Sequence, residues 1–189
     1  MTAEMREIPL DARNTRIAFR VRWFGVIPVT GRFEALQGVL VLPAGSLDDA
    51  TLSVGVDAAS ITTGISLRDR HLRGPRFLDC RRFPRISFSS TRIVREAGAV
   101  QVEGTLSLRG VDQFVIVRCP VRDAARPDAT IALCSPLEIS RQRFGIGKPH
   151  GILAWSPLFS AIANRIHVDI AVTVPAIHAL PALLPALGR

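Results

Sequence analysis

Residues 60–91 read SITTGISLRDRHLRGPRFLDCRRFPRISFSST. Two alternating stretches flank a short, charged insertion. After the insertion, Ile86 and Phe88 share one face, with serines between them. That period of two marks a strand with one buried and one wet face. Within the insertion, SLRDRHLRG sets Leu67 and Leu72 amid dense charge, which predicts a short helix or two turns stopped by Gly74 and Pro75. Spacing alone makes this strand, insertion, strand, and so an all-β domain.

The same alternation recurs outward in both directions. In TRIAFRVRW, residues 15–23, Ile17, Phe19, Val21 and Trp23 point one way while Arg20 and Arg22 point the other. Leu52, Val54, Val56 and Ala58 alternate with Ser53, Gly55 and Asp57. Val100, Val102, Leu106 and Leu108 alternate with Gln101, Glu103, Thr105 and Ser107. VIVRCPV and TIALCSPLEIS continue the series. IHVDIAVTV closes it, with Ile166, Val168, Ile170, Val172 and Val174 on one side. Short strands separated by Gly and Pro turns mean a meandering antiparallel barrel or a sandwich. Two segments break the pattern. Residues 148–164 form a long connection carrying Pro149, Gly151, Trp155 and Pro157, and the tail 176–189 is apolar but cut by prolines.

The chain has 189 residues, 48% of them hydrophobic, which suits one folded domain over 1–175 with a Pro/Ala/Leu-rich tail over 176–189. No apolar run approaches the ~20 residues of a membrane-spanning helix. The opening MTAEMREIPLDARNTR carries charge where a signal peptide needs an apolar core, so a cytosolic protein is expected. Cys80, Cys119 and Cys134 are an odd set without C-x-x-C spacing, as expected of reduced thiols. Net charge is +8, and Lys148 is the only lysine. The arginines are dispersed, and the chain lacks tyrosine, so no nucleic-acid partner is expected. A GC-rich genome, which favours arginine codons, is the plainer reading of that charge, and an anionic headgroup or membrane surface would also suit it.

Catalytic and cofactor signatures are missing: there is no G-x-S-x-G, no P-loop and no dinucleotide fingerprint. His71, His150, His167 and His178 do not form an H-x-H or H-E-x-x-H pair, so neither a metal nor another cofactor is expected. Arg68, Asp69 and His71 would be the acid–base groups of an enzyme if they faced an interior. Cys80 would be a nucleophile only with a lowered pKa beside an imidazole. The plainer reading of RDRHLR is a hydrogen-bond network that fastens the insertion to the strands.

The order S-I-x-T, R-D-x-H-L-R, F-x-D, F-P-x-I-x-F-x-S-T over residues 60–91 resembles the YceI-like family of bacterial lipid-binding β-barrels. IAFRVRW at 17–23, GRF at 31–33, GTLSLRGV at 104–111, and Arg141, Phe144 and Gly145 resemble further elements of that family, in order. Trp23 and Gly74 depart from it, standing where histidine and serine are common. The resemblance covers roughly residues 11–175. It implies an extended eight-stranded antiparallel β-barrel, lipocalin-like, with a short helical insertion around 64–74. It also implies non-catalytic binding or transport of a long apolar ligand: a polyisoprenoid, an isoprenoid quinone or a fatty-acyl lipid.

Strand parity inside such a barrel makes Phe19, Val21, Trp23, Val54, Val56, Phe77, Phe88, Leu106, Leu108, Phe144 and Ile170 the expected ligand-binding wall. A tail entering it would gain ~0.8 kcal/mol per buried CH₂, against about 0–1 kcal/mol from an exposed Arg–phosphate contact. Affinity should come from the tail and orientation from the mouth. A homodimer and a peripheral membrane contact stay open. So do two alternatives: an enzyme acting on an apolar substrate, and an interaction module with a filled core.

Overall fold

A computed structural model describes residues 5–43, 49–96, 99–120, 130–147 and 162–175. The turn at Gly45, most of the 148–164 connection and the tail beyond 175 lie outside the described residues. The alternating segments form β1 (Met5–Asp11), β2 (Thr15–Trp23), β3 (Ile27–Phe33), β4 (Leu36–Pro43), β5 (Thr51–Asp57), β6 (Ile61–Thr62), β7 (Arg85–Glu96), β8 (Ala99–Leu108), β9 (Val111–Pro120), β10 (Thr130–Ser140) and β11 (Ile162–Pro175). The insertion folds as α1 (Ser66–Arg73), inside the expected window. Gly74 ends it in an extended conformation, its N–H bonded to the His71 carbonyl at 3.0 Å. Arg70, His71 and Arg73 occupy its last turn, where the helix dipole favours positive charge.

The described pairings are antiparallel and give a six-stranded sheet, β1-β4-β5-β7-β8-β9, and a five-stranded sheet, β10-β11-β2-β3-β6. The expected barrel of eight continuous strands is thus resolved into more, shorter pieces in two sheets. The reason is a set of bends. β1 pairs with β4 while β2 pairs with β3, so one long hairpin from Met5 to Pro43 passes from the first sheet into the second. β5 and β6 make the same crossing, pairing with β4 and β3 in turn.

Each bend has a local cause. Between β1 and β2 the Asn14 side chain accepts from the Asp11 N–H at 3.0 Å and donates to the Pro9 carbonyl at 2.8 Å. Between β5 and β6 the Asp57 carboxylate accepts from the Ala59 N–H at 2.8 Å and caps a single 3-10 turn. On the opposite side of the molecule β9 runs beside β10, with Cα atoms within 8 Å.

Inward parity follows the sequence. A bulge between Ser90 and Arg92 re-phases β7, so Ile86, Phe88 and Ile93 all face inward despite the uneven spacing. The packed core lies in two places. Ile8, Leu10, Leu42, Ile93, Val100, Val117 and Cys119 close one end. Ile61, Leu78, Leu108, Phe144 and Ile146 pack beneath the segment that follows α1. Between them the inward side chains do not meet.

Candidate ligand-binding cavity

The space between the sheets is a cavity of about 980 Å³, near the top of the ~300–1,000 Å³ range typical of ligand pockets. Its wall is almost wholly Ile, Leu, Val and Phe from both sheets. Many of these residues, including Val21, Val54, Phe88, Leu106, Val168 and Val172, are only half-buried. They point inward, so the surface they keep faces the hollow.

Phe19, Val21, Trp23, Val54, Val56, Phe77, Phe88, Leu106, Leu108 and Ile170 all stand on this wall. Phe144 does not. It is 1% exposed and sits inside the cluster with Ile61, Leu78, Leu108 and Ile146. Its displacement has a clear cause. The turn after β10 curls back on itself, with the Ile146 N–H bonded to the Arg141 carbonyl at 2.9 Å, and this tucks the ring under the wall instead of onto it. Phe19 lies across Gly31, its partner on β3, and its ring centroid is 6.0 Å from that of Phe33. A Cβ at position 31 would run into that ring and come within 2.8 Å of the Thr62 carbonyl oxygen.

One end of the cavity is open, and exposure locates it. Among the lining residues, those classed as exposed are Trp23, Ile65, Leu67, Arg70, His71, Pro75 and Arg76. All belong to the end of β2 or to α1 and its flanks. The opposite end is sealed by Leu10, Leu42, Ile93, Val100 and Cys119. The polar wall residues are Thr15 and Ser87 on strands, Arg68, Arg70, His71 and Arg76 at the mouth, and Arg141. No carboxylate occurs among the described lining residues.

Arg141 is the residue that sequence reasoning passed over as a mere motif element. It is 6% exposed and, among the described residues, donates to the carbonyl oxygens of Ile146 at 2.9 Å, Gly147 at 3.4 Å, Ala163 at 3.2 Å and Ile162 at 2.9 Å. Burial pushes its pKa down. The guanidinium fork ties the turn after β10 to the start of β11. Nothing in local sequence signals the tie to β11, because the Ile162 and Ala163 carbonyls lie 21 and 22 residues away.

Of the acid–base candidates of the insertion, Arg68 and His71 stand at the cavity mouth and Asp69 does not. Asp69 is 6% exposed and absent from the cavity wall. It accepts from the Thr63 N–H at 2.9 Å, from the Thr63 hydroxyl and from the Thr62 hydroxyl at 3.3 Å. Burial pushes its carboxyl up, but those hydrogen bonds and the nearby Arg73 charge outweigh burial and hold it below the ordinary carboxylate value. Arg68 bonds the Thr63 hydroxyl at 2.7 Å and the Thr63 carbonyl at 3.0 Å, and Arg73 bonds the Ile61 carbonyl at 2.8 Å. The insertion is thereby latched to β6. Burial pushes the Cys80 thiol up, the reverse of what a nucleophile needs. No cluster of three or more metal-ligating side chains occurs among the described residues.

A family model described as the YceI-like domain matches residues 9–174. This chain belongs to the YceI-like family. Protein YceI of Salmonella arizonae is 27% identical over 109 residues, which are 58% of this chain and 57% of that protein. The chain thus spans a little over half the length of the curated relatives it matches. Among solved structures, Burkholderia cenocepacia BcnA is similar with a TM-score of 0.71 and 18% identity, over 85% of this chain and 96% of that one. A polyisoprenoid binding domain from Saccharophagus degradans is similar with a TM-score of 0.66 and 18% identity, over 90% and 98%. At such identities these structures share the YceI fold with this chain. Among the described residues, no helix is long and apolar enough to cross a membrane.

Proposed function

We propose that this YceI-like protein binds and carries one long apolar chain in its cavity, a polyisoprenoid, an isoprenoid quinone or a fatty-acyl lipid, without a covalent step. The observation that carries the reading is the hollow itself. With the hollow unfilled, the wall residues lose the contacts that a packed core would give them. A wall this apolar offers water few partners, whereas a tail gains ~0.8 kcal/mol per CH₂. The one-ended opening favours a thread-like ligand over a compact one. The ten wall residues named above are then the ligand contacts.

We read the bent strands as continuous staves. β1 with β2, β3 with β4 and β5 with β6 count as one each, and β7 to β11 complete eight, with β9 against β10 as the seam. The adjacency of β9 and β10 and the crossing of the long hairpin support that reading. The binding activity named for the Saccharophagus degradans domain is consistent with it. Catalysis is disfavoured by the latched Asp69 and the raised Cys80 thiol.

Mass spectrometry of organic extracts from the purified protein tests the proposal, followed by titration with prenyl and acyl chains of graded length. Co-purifying lipid, and affinity that rises with tail length, are expected. An extract free of lipid, together with no binding of any tail, would overturn the proposal.

A further inference from the structure

The mouth carries a feature that holding a tail does not require. The β2–β3 turn reads Trp23-Phe24-Gly25-Val26-Ile27, and its side chains stand in solvent: Phe24 is 54% exposed and Val26 73%. β6 runs antiparallel to β3, so the chain leaving Thr62 heads toward this turn and brings Ile65 and Leu67 to the same end. Both are more than half exposed.

The turn itself is built against local preference. The Val26 N–H bonds the Trp23 carbonyl at 3.2 Å, and both central residues have positive φ, 50° at Phe24 and 71° at Gly25. Such a turn calls for Asn-Gly or Gly-Gly. A bulky aromatic at the first central position is strained, and strain of this kind gathers at functional segments. Arg22, whose guanidinium lies 3.5 Å from the Gly25 carbonyl, and Arg70 and Arg76 on the cavity mouth are exposed at the same end.

We propose that this end of the molecule is a docking surface for an anionic lipid bilayer. Trp23, Phe24, Val26, Ile27, Ile65 and Leu67 would enter the acyl boundary, and the arginines would meet the phosphates. The composition argues for this occupant: exposed apolar side chains and exposed arginines share one end, and the described lining of the mouth carries no carboxylate to repel phosphate. The continuity of the patch with the cavity mouth argues for it too. The choice of a bilayer over another apolar partner rests on the cavity's holding a lipid tail. A docked mouth lets that tail pass between membrane and cavity without crossing water.

The test is co-sedimentation of the full chain with phosphatidylcholine vesicles, with and without phosphatidylglycerol. Binding should require the anionic lipid and weaken with salt. Phe24→Asn with Val26→Ser should lower it at least about tenfold by removing buried apolar surface. Because Asn suits the turn, thermal stability should hold or rise in that variant. Arg70→Ser should lower binding about fivefold. Phe114→Ser, which alters an exposed aromatic on the outer face of β9, should leave it unchanged.

Vesicle binding equal in the tip variant and the parent would overturn the inference. So would parent protein that self-associates through the tip and ignores vesicles. A protein that takes up a fluorescent acyl probe in solution but ignores vesicles overturns the docking and spares the carrier reading. One that docks through the tip yet takes up no tail supports the docking and overturns the carrier reading.

Discussion

At one end of the cavity Leu10, Leu42, Ile93 and Val100 are packed out of solvent; at the other, Trp23, Ile65 and Leu67 stand open to it. The residue types are alike. What differs is whether opposite walls reach one another. Where the sheets close, every apolar side chain finds partners and contributes to stability. Toward the mouth the same kinds of side chain face a hollow, and the molecule gains less from each of them when empty. The division of labour between folding and binding runs along the axis of one cavity, not between two classes of residue.

Mutations can break or sharpen that contrast. The largest effect is expected at the sealed end: Ile93→Ala should lower unfolding free energy by about 2–5 kcal/mol, read as a shift in denaturant midpoint. Arg141→Ala should come next. It removes a buried guanidinium from the carbonyl oxygens of Ile146, Gly147, Ile162 and Ala163, at a net cost of about 1.5–3 kcal/mol, because relief of the guanidinium's desolvation offsets part of the lost hydrogen bonding. Its signature would be early hydrogen exchange at the start of β11.

Asp69→Ala should cost roughly 1–3 kcal/mol, by stranding the Thr63 N–H and removing part of the latch between α1 and β6. The Asp69 carboxyl is held below its ordinary value, so its stabilising effect is full above the unfolded carboxylate's pKa of ~3.9 and is lost as pH falls through the folded value. The variant and the parent should therefore converge in stability under acid. If the gap persists at low pH, the latch does not depend on the carboxylate's charge.

At the half-buried wall the stability effect should be smallest. Leu106→Trp should change the denaturant midpoint by less than Ile93→Ala does, because the hollow accepts the extra volume. It should weaken long tails more than short ones. Equal stability losses at Ile93 and Leu106 would erase the distinction between the two ends.

Much of this was legible before folding. Alternation at 17, 19, 21 and 23, and again at 100, 102, 106 and 108, placed the right side chains inward, because a strand's parity is local. The helix at 66–73 followed from its charge density and its Gly-Pro stop. Three features were not legible. The bends at 12–14 and 58–60 depend on side chains folding back onto the backbone, and these split the expected strands between two sheets. Phe144 has the composition of a wall residue, but a turn held by its own backbone turns the ring aside. The clamp of Arg141 joins carbonyls that meet only once β10 and β11 are paired. The bends and the turn are local but break the periodicity that the reading follows, whereas the tie from Arg141 to β11 depends on distance in space.

The hairpin from Met5 to Pro43 has a mechanical consequence. One bent hairpin contributes strands to both sheets, so at this edge the two faces cannot swing apart like the halves of a clam. Traffic is then axial, as through a sleeve stitched shut at the toe. The long apolar chain proposed for the cavity would then withdraw lengthwise, surrendering its contacts one carbon after another, so its dwell time should climb steeply with each added unit of its length.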